Sequence, residues 1–166
     1  MNMMSTMEAP SLDGFAQPDI AAPVTTAMSP GTYLRKRREA ADRTLEDVAR
    51  TLRPKWGVAQ INWMVSHLAE LENDEAYVTG VVVRNIAATF PMDANVYNAL
   101  VAIRCGVELD EPQLCRECAC SAHDACIDAL GHGCSWVEGD PTLCTNCREP
   151  EPVEGANAIE GRARAA

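Results

Sequence analysis

Aromatic residues are scarce in this chain, with two Phe, three Trp and three Tyr among 166 residues. That excludes a large aromatic core. Long apolar runs are missing as well. None reaches 18 residues, so no membrane span is expected. The opening MNMMSTMEAPSLDGF has neither the basic region nor the apolar stretch of a secretory signal. Enzymatic signatures are also absent: there is no HExxH, no Walker A run, no GxSxG, and no HxE paired with a later PCxxC. Glu117, Asp124 and Glu138 could be imagined as bases, yet nothing in the sequence holds them against a substrate. No catalytic residue is assigned, and the chain is read as a non-enzyme.

Positive charge is in short supply overall. Fourteen Lys and Arg face 24 Asp and Glu, for a net charge of -10. The average argues against general nucleic-acid affinity, but it hides an asymmetry. Arg35, Lys36, Arg37, Arg38, Arg43, Arg50, Arg53 and Lys55 fall together with only four acids, a local balance of +4. A positive face can therefore exist on an acidic protein.

Cysteine is the residue in excess. Seven of eight lie between Cys115 and Cys147. Two CxxC pairs, Cys115/Cys118 and Cys144/Cys147, bracket the cluster with 25 residues between them. Without a secretory signal, such clustering points to metal rather than disulfides. Zn(II) takes four thiolates at about 2.3 Å, and a CxxC turn aims two sulfurs at one ion. The outer four cysteines are the expected zinc ligands. Cys120, Cys126 and Cys134 remain, with His123 and His132 beside them. A second metal on these residues, a shared-thiolate cluster and an iron–sulfur centre all stay open. Trp136, Val137, Leu114 and Leu143 are the expected apolar plug of this small module, whose folding a structural metal would support.

Upstream, the pattern is helical. Ser29-Pro30 starts a helix over about 30–41, with Leu34 and Ala41 on its buried side. Thr44 and Asp47 form a capping box for a second helix over about 45–52. Ile61, Val65, Leu68 and Leu71 carry a third, from about 58 to 72. Val78, Val82, Ile86 and Phe90 mark a fourth over about 78–89, and Asp93 caps a fifth over about 94–105. Cys105 is expected to be a small buried hydrophobe, and Trp56 and Trp63 to pack the segment after helix two against the bundle. The expected organisation is a leader (1–29), a helical domain (30–105), a linker (106–113), a cysteine-rich module (114–148) and a tail (149–166). Leader and tail have the composition of disordered segments. Met3 or Met28 is an alternative start.

The segments GTYLRKRREAAD, TLEDVARTL, VSHLAELEND and IAATFPMDANVYNAL resemble the phage-repressor-like, Cro-type helix-turn-helix family. The resemblance runs from about residue 31 to 105. It implies a five-helix bundle whose third helix enters the major groove of double-stranded DNA. Gln60, Asn62, Ser66 and His67 then become base or backbone contacts, and Trp63 lies among them at the start of the helix. Arg35, Arg37, Arg38, Arg43, Arg50, Arg53 and Lys55 become phosphate contacts, while Glu72 serves structure. Two departures stand out. RPKWGVAQINWMV replaces a tight turn, and no Arg or Lys lies between Gly57 and Glu75. Guanidinium-to-guanine contacts, the commonest specific readout, cannot come from that helix.

The segment LCRECACSAHDAC…GHGCSWVEGDPTLCTNC is similar to a cysteine-rich module of phage and proteobacterial proteins. Ala119 stands where that module usually has glycine, and Thr145 where it has serine. Together the resemblances imply a mainly α regulator: a helix-turn-helix bundle followed by a small metal-stabilised module. It would bind DNA as a homodimer in the cytoplasm and regulate transcription. The alternative is a non-catalytic adaptor of phage or prophage origin that binds a protein partner.

Overall fold

The computed structural model describes residues 28–128 and 130–148. The expected tail, and the leader up to residue 27, lie outside the described residues. Among the described residues five helices come first: α1 (Pro30–Ala40), α2 (Leu45–Leu52), α3 (Val58–Glu72), α4 (Val81–Ala87) and α5 (Ala94–Arg104). A hairpin of β1 (Trp136–Val137) and β2 (Asp140–Cys144) follows, then one 3-10 turn over Thr145–Cys147. The chain is thus a mainly α five-helix bundle followed by a cysteine-rich region. Among the described residues no helix is long and apolar enough to cross a membrane.

The helix starts follow from their caps. The Ser29 hydroxyl accepts from the Thr32 N–H at 3.1 Å, and Pro30 occupies the first turn. The Thr44 N–H donates to the Asp47 carboxylate at 2.9 Å, and the Asp47 N–H donates back to the Thr44 hydroxyl at 3.1 Å. Asp93 caps α5 by accepting from the Asn95 N–H at 2.7 Å. Asp74, just past the end of α3, adds a long-range cap to α1. Its carboxylate accepts from the Gly31 N–H at 2.7 Å and from the Ser29 hydroxyl. The start of α1 is therefore tied to the end of α3.

That tie demands a close approach. A Cβ on Gly31 would sit 2.6 Å from the Leu71 carbonyl oxygen and 2.7 Å from that of Glu72. Beside this crossing Arg38 clamps Glu72, with Nε to Oε1 at 2.7 Å and Nη2 to Oε2 at 2.8 Å. The paired geometry makes this a strong, oriented ion pair. Glu72 is buried, so the pair holds the two helices together from inside the bundle.

The core is aliphatic apart from a few rings. Leu34, Val48, Ile61, Leu68, Leu71, Ile86 and Leu100 pack with Phe90 and with two fully buried tyrosines, Tyr33 and Tyr97. Each tyrosine hydroxyl has a partner: Tyr33 accepts from the Asp93 N–H at 2.9 Å, and Tyr97 from the Val78 N–H at 3.5 Å.

Four expectations need correction. α4 spans only Val81–Ala87, because Gly80 turns the chain at a φ of +60° just before it. Its buried stripe is Val83 and Ile86, and Val82 faces solvent. Cys105 is exposed, since it caps α5 where the chain leaves for an exposed linker. Trp63 is 60% exposed. It leans on Trp56 (centroids 6.3 Å apart), and only Trp56 reaches the core. Leu114 packs against the helical core rather than among the cysteines.

The α1–α3 crossing leads to a test. Gly31→Ala should lower the free energy of unfolding by about 1–3 kcal/mol, the usual cost of overpacking. Gly57→Ala meets only the Gln60 side chain at 3.9 Å and should be close to neutral. Equal midpoints for the two variants in chemical denaturation would contradict the close crossing.

Candidate metal centre

Three tight turns bring the cysteines together. The first runs from Cys115 to Cys120. The Ala119 N–H donates to the Cys115 carbonyl at 2.8 Å, and the Cys115 N–H to the Cys120 carbonyl at 3.0 Å. Ala119 adopts a φ of +58°, a conformation that suits glycine and costs a side-chain-bearing residue about 1–2 kcal/mol. Its methyl is fully buried against the helical core, which offsets that strain.

The second turn spans Asp128 to His132. The Asp128 carboxylate accepts from the Leu130 and His132 N–H groups, each at 2.8 Å. These backbone bonds hold the Asp128 carboxyl below its usual pKa. The turn lets the Cys134 N–H reach the Cys126 carbonyl at 2.8 Å. The third turn is the hairpin, closed at Gly139 with a φ of +79°. Arg116 stitches the first turn to the hairpin through Asp140 (2.7 Å) and the Thr142 hydroxyl (2.8 Å). Arg116 and Thr142 together draw the Asp140 carboxyl down to about 2.

The result is one packed group of seven sulfurs. They fall into three overlapping quartets, each with all Sγ atoms within 4.8 Å of one another. These are Cys115/Cys118/Cys120/Cys144, Cys118/Cys126/Cys144/Cys147 and Cys120/Cys126/Cys134/Cys144. All seven thiols are free. With metal–sulfur bonds of about 2.3 Å, the edge of a tetrahedral four-thiolate site is about 3.8 Å. The observed separations are 3.8 Å for Cys118–Cys144, 3.7 Å for Cys126–Cys144 and 3.6 Å for Cys120–Cys134. Cys118–Cys126, at 3.0 Å, is shorter than that edge but well beyond a disulfide of about 2.05 Å. The donor set fits Zn(II), one ion or more.

Spacing alone put Cys115, Cys118, Cys144 and Cys147 on one ion. The packing assigns Cys115 and Cys147 to different quartets, both containing Cys118 and Cys144. The inner thiols Cys120, Cys126 and Cys134 form a quartet of their own with Cys144, which the other two quartets also contain. The two histidines do not take part. His123 and His132 are exposed, His132 bonds Asp128 at 3.3 Å, and no quartet among the described residues includes either ring. The local turns aim them outward.

Backbone N–H groups already point at sulfur: Cys144 N–H to Cys115 Sγ at 3.4 Å, and Cys126 N–H to Cys134 Sγ at 3.2 Å. Burial raises the pKa of Cys118, Cys120, Cys126 and Cys147. Cys144 differs. Burial opposes its ionisation as well, but hydrogen bonds from Cys147 and Cys115 prevail and bring it down to about 6.

Against this cluster lies a contact that the sequence reading missed. Arg37, expected among the phosphate contacts, is only 3% exposed. It donates to the carbonyls of Pro91 (3.0 Å), Cys118 (3.4 Å) and Asp124 (3.0 Å), and pairs with the Asp124 carboxylate at 3.1 Å. Asp124 also accepts from the Tyr33 hydroxyl at 3.1 Å and from the Ser121 N–H at 2.7 Å. Beside it Lys36 Nζ reaches the Glu117 carbonyl at 3.1 Å. The periodicity carried the signal: Leu34, Arg37 and Ala41 share one helical stripe.

Other expected DNA contacts divide in two. Arg38 is engaged by Glu72, and Arg43 gives its carbonyl to Arg38 and an Nη2 proton to Thr51 at 3.2 Å. Arg50 pairs on the surface with Glu46 at 2.6 Å. Arg53 lies over the Trp56 ring at 5.5 Å, Lys55 is exposed, and Arg35 is half-buried. On α3, Gln60, Asn62 and Ser66 are exposed. The Gln60 side-chain Oε1 accepts from the Gly57 N–H at 3.1 Å. His67 stacks on Trp63 (5.7 Å, 13°) and meets Glu70 at 3.1 Å.

Two outcomes follow from this geometry. Arg37→Ala strands a buried carboxylate and three carbonyls, so it should cost about 3–5 kcal/mol. An apolar pair, Arg37→Met with Asp124→Leu, should cost less than the two single changes added together. Denaturant titrations of the zinc-loaded protein measure both, and additive losses would deny the coupling. Second, thiols with raised pKa values are protonated at neutral pH and become thiolates only on loading. Zinc added at pH 7.5 in weak buffer should release more than one proton per ion, and affinity should fall as pH drops from 8 to 6. Loading without acidification would refute this.

Comparison with family models, curated proteins and solved structures finds no match to this chain.

Proposed function

We propose that this chain is a DNA-binding transcriptional regulator whose cysteine module holds zinc for structure and catalyses nothing. The observation that carries the reading is the outer face of α3. Asn62, Trp63 and Ser66 are exposed there in sequence, and His67 stacks on Trp63. Arg53 and Lys55 precede the start of the helix, and its first turn holds no acid. A helix start of that kind favours a phosphate, while amides, hydroxyls and rings can meet base edges. Arg53, Lys55 and Arg35 remain as candidate phosphate contacts; Arg37 and Arg38 serve the fold. The inferred assembly is a cytoplasmic homodimer, because paired half-sites raise affinity.

A protein adaptor is the rival reading. It is favoured by exposed aliphatic groups, Val58 at 69% and Val81 at 61%, on a chain of net charge -10.

A gel shift with zinc-loaded protein and promoter DNA separates the two. Binding should appear at low salt and weaken as salt rises. Arg53→Ala and Lys55→Ala should each lower the slope of log affinity against log salt by about 1. Asn62→Ala should instead reduce discrimination between sequences. No shift at low salt would remove the DNA reading, as would a shift unchanged in the Arg53/Lys55 double variant.

A further inference from the structure

The seven clustered thiols outnumber what one tetrahedral ion can use. A single four-thiolate zinc leaves three sulfurs over, in a cluster where Cys115, Cys118, Cys120 and Cys144 are all buried. The three quartets show no boundary between used and unused thiols. Every one of the seven belongs to at least one quartet, and Cys144 belongs to all three. Two four-coordinate ions that share one thiolate need seven sulfurs, the number present.

We propose that the module is a binuclear thiolate centre: Cys115, Cys118 and Cys147 hold one divalent ion, Cys120, Cys126 and Cys134 hold a second, and the Cys144 sulfur bridges the two. This rests on the zinc reading of the module and extends it.

The second set is already assembled, since Cys120, Cys126, Cys134 and Cys144 form one of the quartets. The first set needs Cys115 and Cys147 to close to a tetrahedral edge around Cys118 and Cys144, which each already neighbours. Local structure places Cys144 between the two sets. It ends β2, its N–H donates to Cys115 Sγ at 3.4 Å, and its Sγ lies 3.7 Å from that of Cys126. An entry path exists on the second side. A concave opening there is lined by Cys120, Cys134, Cys144 and Trp136.

Sharing a sulfur also suits the electrostatics. Two divalent ions and seven thiolates carry a net charge of -3, whereas one ion with seven thiolates would carry -5. The one-ion site must instead keep three thiols protonated inside the cluster.

The test uses the full chain loaded with cadmium-113 as a probe for zinc-type ions. Native mass spectrometry should give two ions per chain. Cadmium NMR should give two resonances that split each other through the shared sulfur. Iodoacetamide should alkylate only the exposed Cys105 in the loaded protein, which also serves as the internal control. Cys144→Ser should reduce the content to one ion or none, while Cys105→Ser keeps two.

One ion per chain, or two resonances without splitting, would overturn the binuclear centre and leave the zinc module standing. A second alkylated thiol, or splitting retained in Cys144→Ser, would overturn the single bridge at Cys144. Failure to bind any ion would overturn the zinc reading itself. The ion count, the cadmium resonances and the alkylation all use the wild-type chain, so a Cys144→Ser or Cys105→Ser variant that does not fold leaves the decision intact.

Discussion

The cysteine region depends on one electrostatic constraint: sulfurs packed at 3.6–3.8 Å can ionise together only if a cation lies among them. The region has little else to hold it. Its strands span two and five residues, and its apolar contribution is half-buried Trp136 and Leu143. A metal ion held there would supply both the missing charge and the missing folding energy. This explains why the turns are so tightly specified, with Gly139 and even Ala119 held at positive φ. The backbone is bent to bring sulfurs to a point rather than to bury hydrocarbon.

The helical half solves a different problem. It is poor in large rings, so it places two of its three tyrosines at zero exposure and fills the remainder with Leu, Ile and Val. Its polar interior is small and centres on two ion pairs. Arg38 answers Glu72, and Arg37 answers Asp124. Each pair joins α1 to another part of the chain, and removing one partner would leave the other buried without its countercharge. The basic run that gives the chain its local positive charge is therefore partly internal machinery.

How far the sequence could be read follows from this split. The starts of α1, α2 and α5 were legible because Ser29, Thr44 with Asp47, and Asp93 act on their own helices. α4 was overextended because a four-residue valine spacing outweighed Gly80, whose positive φ sets the boundary. The clustering of cysteines was visible as a CxxC pattern, but their grouping was not. Spacing describes one turn at a time, whereas Cys126 and Cys134 join Cys144 only after the Asp128 turn and the hairpin have both folded back. Arg37 was misplaced for a related reason. Charge suggested the surface, and the partner that reverses this, Asp124, lies 87 residues away.

α1 is the element on which both halves converge. One side of it carries Arg38, which grips Glu72 at the end of α3, and Gly31, which lets the two backbones touch. Another carries Tyr33 and Arg37, which grip Asp124 and the carbonyl of the metal-ligand candidate Cys118. The contact chain from the sulfur cluster to α3 is therefore short: Cys118 carbonyl, Arg37, Arg38, Glu72. Loosening the first turn of the cysteine region removes a carbonyl partner from a buried guanidinium and unsettles the Asp124 pair beside it. Because α1 is packed against α3 by backbone contact, it cannot shift there without moving the helix that carries Asn62 and Trp63. The cysteine region is thus a brace for the bundle as well as a separate knot of chain, tied through α1 to the end of α3.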